Sequence, residues 1–126
     1  MPIQTPTGTP FQYFINSEEA AIVIVTQNEN RHDYQLSALV DLYQWLRNDC
    51  QGEWVYLGTK REQEEADPNT VEIWARSPNN PVNGFYGLTP GRRGQFATYI
   101  PSILEHMGVV EIEHNARNNR VRAIIR

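Results

Sequence analysis

Cysteine is almost absent from this chain: Cys50 is the only one. A lone cysteine makes no internal disulfide and no cysteine-rich zinc site. Long apolar runs are missing too. The longest, Ala20 to Val25, has six residues, against the roughly 20 that a membrane helix needs. That argues against a membrane partner. The first residues, Met1-Pro2-Ile3-Gln4-Thr5, hold neither a basic nor an apolar leader segment, so a cytoplasmic protein is expected. The chain also lacks a GxxxxGK[ST] or GxGxxG loop, any HExxH, HxH or HxxxH spacing, and a nucleophile elbow around Ser17 or Ser37. Metal, cofactor and nucleophilic chemistry have no obvious carrier, and an enzyme is the least favoured function class.

What is present suits a folded domain. The chain has 126 residues, 40% of them hydrophobic and 21% charged, enough for a single domain over residues 1–126 with one core. The net charge of -4 is unevenly spread. Residues 1–66 carry four basic and ten acidic side chains, whereas residues 91–126 carry six arginines and three glutamates. A basic last third on an acidic body points to an anionic partner for that third.

Residues 1–10 hold three prolines and three threonines around Gly8 and are expected to form an extended arm. Phe11 to Ile15 reads as a strand. Ala20 to Thr26, rich in β-branched residues, reads as a strand buried on both faces. Gln27 to Arg31 is expected to be a loop. With Asp33 as N-cap, the spacing of Leu36, Leu39, Val40, Tyr43 and Leu46 predicts a helix that ends at Gly52. Glu53 to Leu57 suits a strand. The alternation in Thr70 to Arg76 predicts another, with Val71, Ile73 and Ala75 on its buried face. Ser77 to Gly91 is a Pro-, Asn- and Gly-rich loop pinned by Phe85 and Tyr86, a type that often carries function. Thr89-Pro90 opens a second helix, in which Phe96, Tyr99, Ile100, Ile103, Leu104 and Met107 share a face and Pro101 should kink or split it. Val109 to Glu113 and Arg120 to Ile125 then flank a turn, giving a hairpin. The sum is an α+β domain, an antiparallel sheet with two principal helices.

The chemistry-bearing clusters are sparse. Gly91-Arg92-Arg93-Gly94 could hold a phosphate by its N–H groups and guanidinium charge, or be a flexible turn. His106, near the end of the second helix, complements the helix dipole. His114-Asn115 and His32-Asp33 stand without the further ligands a metal site needs. Trp74 falls on the polar face of its expected strand, so it is an interface candidate for a protein partner or a second copy of the chain.

The helix Gln95 to Met107, the Gly108-Val109-Val110 close and the hairpin tip Asn115 to Arg120 together resemble the recognition helix and wing of winged-helix DNA-binding domains. The resemblance covers about residues 92–126. It implies that Arg92, Arg93, Gln95, Thr98 and Ser102 face DNA from the helix, and that Arg117, Asn118, Arg120 and Arg122 lie in or beside the wing. Such residue types supply donors for phosphates and base edges. The expected function is therefore a nucleic-acid-binding module, for DNA or RNA. The alternative is a protein-interaction or oligomeric subunit without nucleic-acid contact.

Overall fold

The computed structural model describes residues 2–125. Met1, the first residue of the expected arm, and Arg126, one of the arginines of the basic third, lie outside the described residues. The fold is α+β, with two antiparallel sheets and three helices.

The first sheet is a meander of β1 (Pro2–Gln4), β2 (Pro10–Asn16), β3 (Ala21–Thr26) and β4 (Arg31–Gln35), in that spatial order. The arm is thus no free extension. Residues 2–4 pair with β2, Ile3 opposite Phe11. The strand β4 replaces the expected loop and helix cap. Arg31-His32-Asp33-Tyr34-Gln35 has one large apolar residue, and pairing with β3, Ile22 opposite Tyr34, makes it a strand. This is tertiary context overriding local propensity.

Helix α1 (Ala38–Gln44) follows and widens into a π turn, Trp45–Asp49. Its buried side chains are Ala38, Leu39 and Leu42, with Leu46 on the π turn. Val40, expected in the core, is 58% exposed. The stripe facing the core is therefore Leu39, Leu42 and Leu46, rotated from the one that starts at Leu36.

The second sheet has β5 (Val55–Tyr56) and the hairpin β6 (Val110–Ile112) and β7 (Arg120–Ala123), in the order β5-β7-β6. Between β5 and β6 lie α2 (Val71–Trp74) and α3 (Phe96–His106). The expected strand at 70–76 is instead the single turn α2. Thr70 caps it: its Oγ1 accepts from the Ile73 N–H at 3.3 Å and donates to the Asp67 carbonyl at 2.8 Å. A run this short fits either period, and the cap decides.

Helix α3 runs unbroken through Pro101, so the proline does not split it. It begins later than expected. Thr89 does not cap it but donates its hydroxyl to Asp33 Oδ2 at 2.8 Å. Gln95 stands at the N-cap with φ 62°. The free N–H groups of the first turn meet a carboxylate from α2 instead: Ala97 N–H donates to Glu72 Oε1 at 3.0 Å. Glu72 is buried, and Arg76 Nη2 donates to its other oxygen at 2.9 Å. Burial raises the Glu72 carboxyl above its ordinary range, against the pull of Ala97 N–H and Arg76. Arg76 also reaches the carbonyls of Lys60, Arg61 and Glu64, so one buried pair ties α2, α3 and the 60–64 loop together.

The buried residues of both sheets and the helices form one cluster. Helix α3 lies at its centre, with eight of its eleven residues buried. The first sheet covers it: Phe11 meets Tyr99 edge to face, with ring centroids 5.1 Å apart. Among the described residues no helix is long and apolar enough to cross a membrane.

Candidate nucleic-acid interface

The hairpin sorts its arginines by alternation. Val110, Ile112, Val121 and Ala123 point to the core, so Glu111, Arg120 and Arg122 point away from it. Register places Glu111 opposite Arg122, and Arg122 Nη2 lies 2.7 Å from Glu111 Oε1. Arg120 grips Glu113 with two bonds, Nε to Oε1 at 3.0 Å and Nη2 to Oε2 at 2.7 Å. That pair of hydrogen bonds holds the Glu113 carboxyl below its ordinary range. Both guanidinium groups lie over the Trp54 ring, Arg122 at 4.5 Å and Arg120 at 5.3 Å. These two hairpin arginines are thus already paired within the sheet face.

The tip is different. Asn119 is buried and folds it: its Oδ1 accepts from Asn115 N–H, and its Nδ2 donates to Asn115 carbonyl at 3.1 Å. Asn118 takes φ 58°. Arg117 and Asn118 are left exposed, and both line a cleft of about 410 Å³. The other walls bring Thr5, Thr7, Thr59, Lys60 and Thr98 to it. Thr98 and Thr59 hydroxyls lie 3.2 Å apart. Asp67 is the one carboxylate among the lining residues. Neither Lys60 nor Arg117 has an acidic partner among the described residues.

His114 holds the N-terminal wall against the tip. Its Nδ1 is 3.0 Å from the Pro6 carbonyl and its Nε2 is 2.7 Å from Glu105 Oε2. A carbonyl and a carboxylate both accept, so both bonds are made together only by the doubly protonated ring. The Glu105 carboxylate, then the Pro6 carbonyl, raise the His114 pKa above its ordinary value.

Residues 1–124 match a family described as of unknown function, DUF6855. The chain belongs to that family. No curated protein and no solved structure matches it, so what this DUF6855 chain can do must be read from its own geometry.

That geometry disperses the expected nucleic-acid residues. Thr98, Arg117 and Asn118 converge on the tip cleft. Arg92 and Gln95 line a separate cavity of about 600 Å³ with Arg31 and His32, where burial lowers the His32 pKa. Ser102 is 3% exposed and donates to the Thr98 carbonyl at 3.0 Å, which corrects its expected place on an open groove-facing surface. Arg93 lies 5.3 Å over Phe85. The Gly91–Gly94 turn does not offer its N–H groups to a phosphate: Gly91 and Arg93 donate to the Glu62 oxygens at 3.1 and 2.7 Å. Desolvation opposes ionisation of Glu62, yet these N–H groups hold its carboxyl below the usual range. Gly94 is required there, because a side chain would strike the backbone of Arg61 and Glu62.

Trp74 is also corrected. It is 8% exposed, on a helical turn rather than an open strand, and stacked between Trp45 and Tyr86. Lys60 is the cation at the tip cleft that sequence reasoning missed, because it sits in the acidic first half of the chain. Cys50 is no nucleophile candidate: burial, then Asp49, pushes its thiol up to about 11. Among the described residues no group of three His, Cys, Asp or Glu side chains is placed to hold a metal ion.

Proposed function

We propose that this chain is a nucleic-acid-binding module that contacts phosphates through the cleft at the hairpin tip. The observation that carries the reading is the convergence of two unpaired cations, Lys60 and Arg117, with the Thr5, Thr7, Thr59 and Thr98 side chains on one cleft. Hydroxyl donors beside a cation suit phosphate oxygens. The order of α3 followed directly by the β6–β7 hairpin supports the likeness to a helix and wing. The burial of α3 argues against base reading by that helix, so the binding proposed is backbone contact with little sequence preference.

Two phosphate contacts give a salt slope of about -1.8 in log affinity against log salt for duplex DNA. Replacing Lys60 and Arg117 together by alanine brings it to about zero, and replacing Arg120 and Arg122 leaves it unchanged. Fluorescence anisotropy with duplex DNA, single-stranded DNA and RNA at two salt concentrations reads this out. Absence of binding to all three at low salt overturns the proposal. The second reading, a protein-interaction subunit, then takes its place. It is favoured by Arg120 and Arg122 being paired with glutamates and stacked on Trp54.

A further inference from the structure

A third cavity, of about 560 Å³, lies between the π turn and the loop that follows α2. Its lining includes Trp45, Trp74, Asp41, Asp49, Asn48 and Asn80, with no Lys, Arg or His. We propose that this cavity binds a small organic cation, an alkylammonium or guanidinium group. The inference is independent of the nucleic-acid reading.

The aromatic wall is prebuilt. Trp45, Trp74 and Tyr86 form a stack with centroid spacings of 5.2 Å and 5.2 Å and interplanar angles of 20° and 25°. Trp45 ends the stack: among the described residues no other ring lies on it. The face of an indole attracts a cation through its quadrupole. The π turn closes with Cys50 N–H donating to the Trp45 carbonyl at 3.0 Å, and its wider loop brings Trp45, Asn48 and Asp49 to the same wall. Such turns are rare and cluster at functional sites.

The facing wall is equally fixed. Asn80 is buried; its Nδ2 donates to the Trp74 and Gly84 carbonyls at 2.7 and 2.8 Å. Its Oδ1 accepts from Val82 and Gly84 N–H groups at 3.0 and 3.2 Å. Asp41 Oδ2 accepts the Tyr86 hydroxyl at 2.8 Å, which anchors that carboxylate and leaves Oδ1 available. The Asp49 carboxylate is exposed and meets no hydrogen-bond donor or cation among the described residues. An anion would meet two carboxylates here, and a neutral polyol would leave both charges unanswered. The same chain shows what this combination holds. At Trp54, the Arg122 guanidinium lies 4.5 Å over the indole and is paired with the Glu111 carboxylate. The cavity is lined by indoles and carboxylates of the same kind.

The test is titration of the full chain with agmatine and with tetramethylammonium, read by the Trp45 indole N–H signal in NMR spectra. The signal should move saturably with both cations and stay still with glucose or acetate. The double variant Asp41→Asn/Asp49→Asn should bind agmatine about tenfold more weakly with its circular dichroism unchanged. Should that variant not fold, Asp49→Asn alone, at an exposed position, should lose about threefold. A Gly-Arg-Gly peptide as a further arm separates the two sources of the chemistry: tighter binding than agmatine supports a basic side chain of a partner, and weaker binding supports a free amine. No response to either cation at millimolar concentration, glucose binding as tight as agmatine, or undiminished affinity in the carboxylate variants would overturn the proposal.

Discussion

The tip cleft and the π-turn cavity both draw on the acidic first half of the chain, yet they are made from opposite charges. The tip cleft takes Lys60 from the acidic first half and only Arg117 from the arginines of the basic last third. The π-turn cavity leaves Asp49 exposed and Asp41 half-buried with one oxygen bonded to Tyr86, whereas Glu62 and Glu72 are taken up by backbone N–H groups. What separates them is whether a charge has a partner, which segment totals do not record. Arg120 and Arg122 face glutamates across a hairpin, so their charge is largely answered before any ligand arrives. Pairing of this kind stabilises little at a surface, but it removes the charge from the field a partner meets.

The comparison can be broken most severely at Glu72. Glu72→Ala removes the carboxylate that caps α3 and leaves the largely buried Arg76 unpaired. The expected loss is about 3 kcal/mol, read by urea denaturation. Because Arg76 also holds the Lys60 carbonyl, nucleic-acid affinity should fall with it while Glu72→Gln retains part of both. A smaller effect is expected at the other site. Asn80→Ala deletes four hydrogen bonds to the cavity wall and should cost about 2 kcal/mol. It should abolish the agmatine response and leave the salt slope of DNA binding intact.

The smallest expected effect is a pH dependence at His114. Its folded pKa is raised, by Glu105 first and Pro6 second. A raised histidine stabilises the fold fully below its unfolded pKa, about 6.5, and loses that contribution as pH climbs through the higher folded value. The half-exposed ring limits this to about 0.5 kcal/mol. Chemical denaturation of wild type and His114→Ala across that window should converge at the alkaline end. A gap that instead widens with rising pH would contradict the assignment.

Much of the architecture was legible in the sequence because its signals were local. The run at 21–26 stood out by its β-branched composition, the stripe from Phe96 to Leu104 kept one period over enough residues, and the tip at 114–119 was marked by its turn-forming residues. Strand β4 was hidden because its residues are mostly polar and its existence depends on β3. Helix α2 was hidden because four residues do not define a period, and Thr70 acts through its side chain. The site was less legible than the fold. Thr98, Arg117 and Asn118 could be named from their positions, but Lys60 reaches them only through the loop pinned by Arg76. Ser102 lies off the apolar stripe of an isolated helix, yet α3 is covered on more sides than its own pattern announces, because the first sheet packs on it.

The central claim is that charge left unpaired at the hairpin tip, and not the basic composition of the last third, makes the anionic contact. The most direct measurement is an amide chemical-shift map of the full chain titrated with a short duplex DNA at low salt. The account predicts shifts at Thr5 to Thr7, at Thr59 and Lys60, at Thr98 and over Asn115 to Asn119, with Trp54, Glu111 and Arg122 undisturbed. Shifts centred on the Trp54–Arg122 face, or none at all, would contradict it.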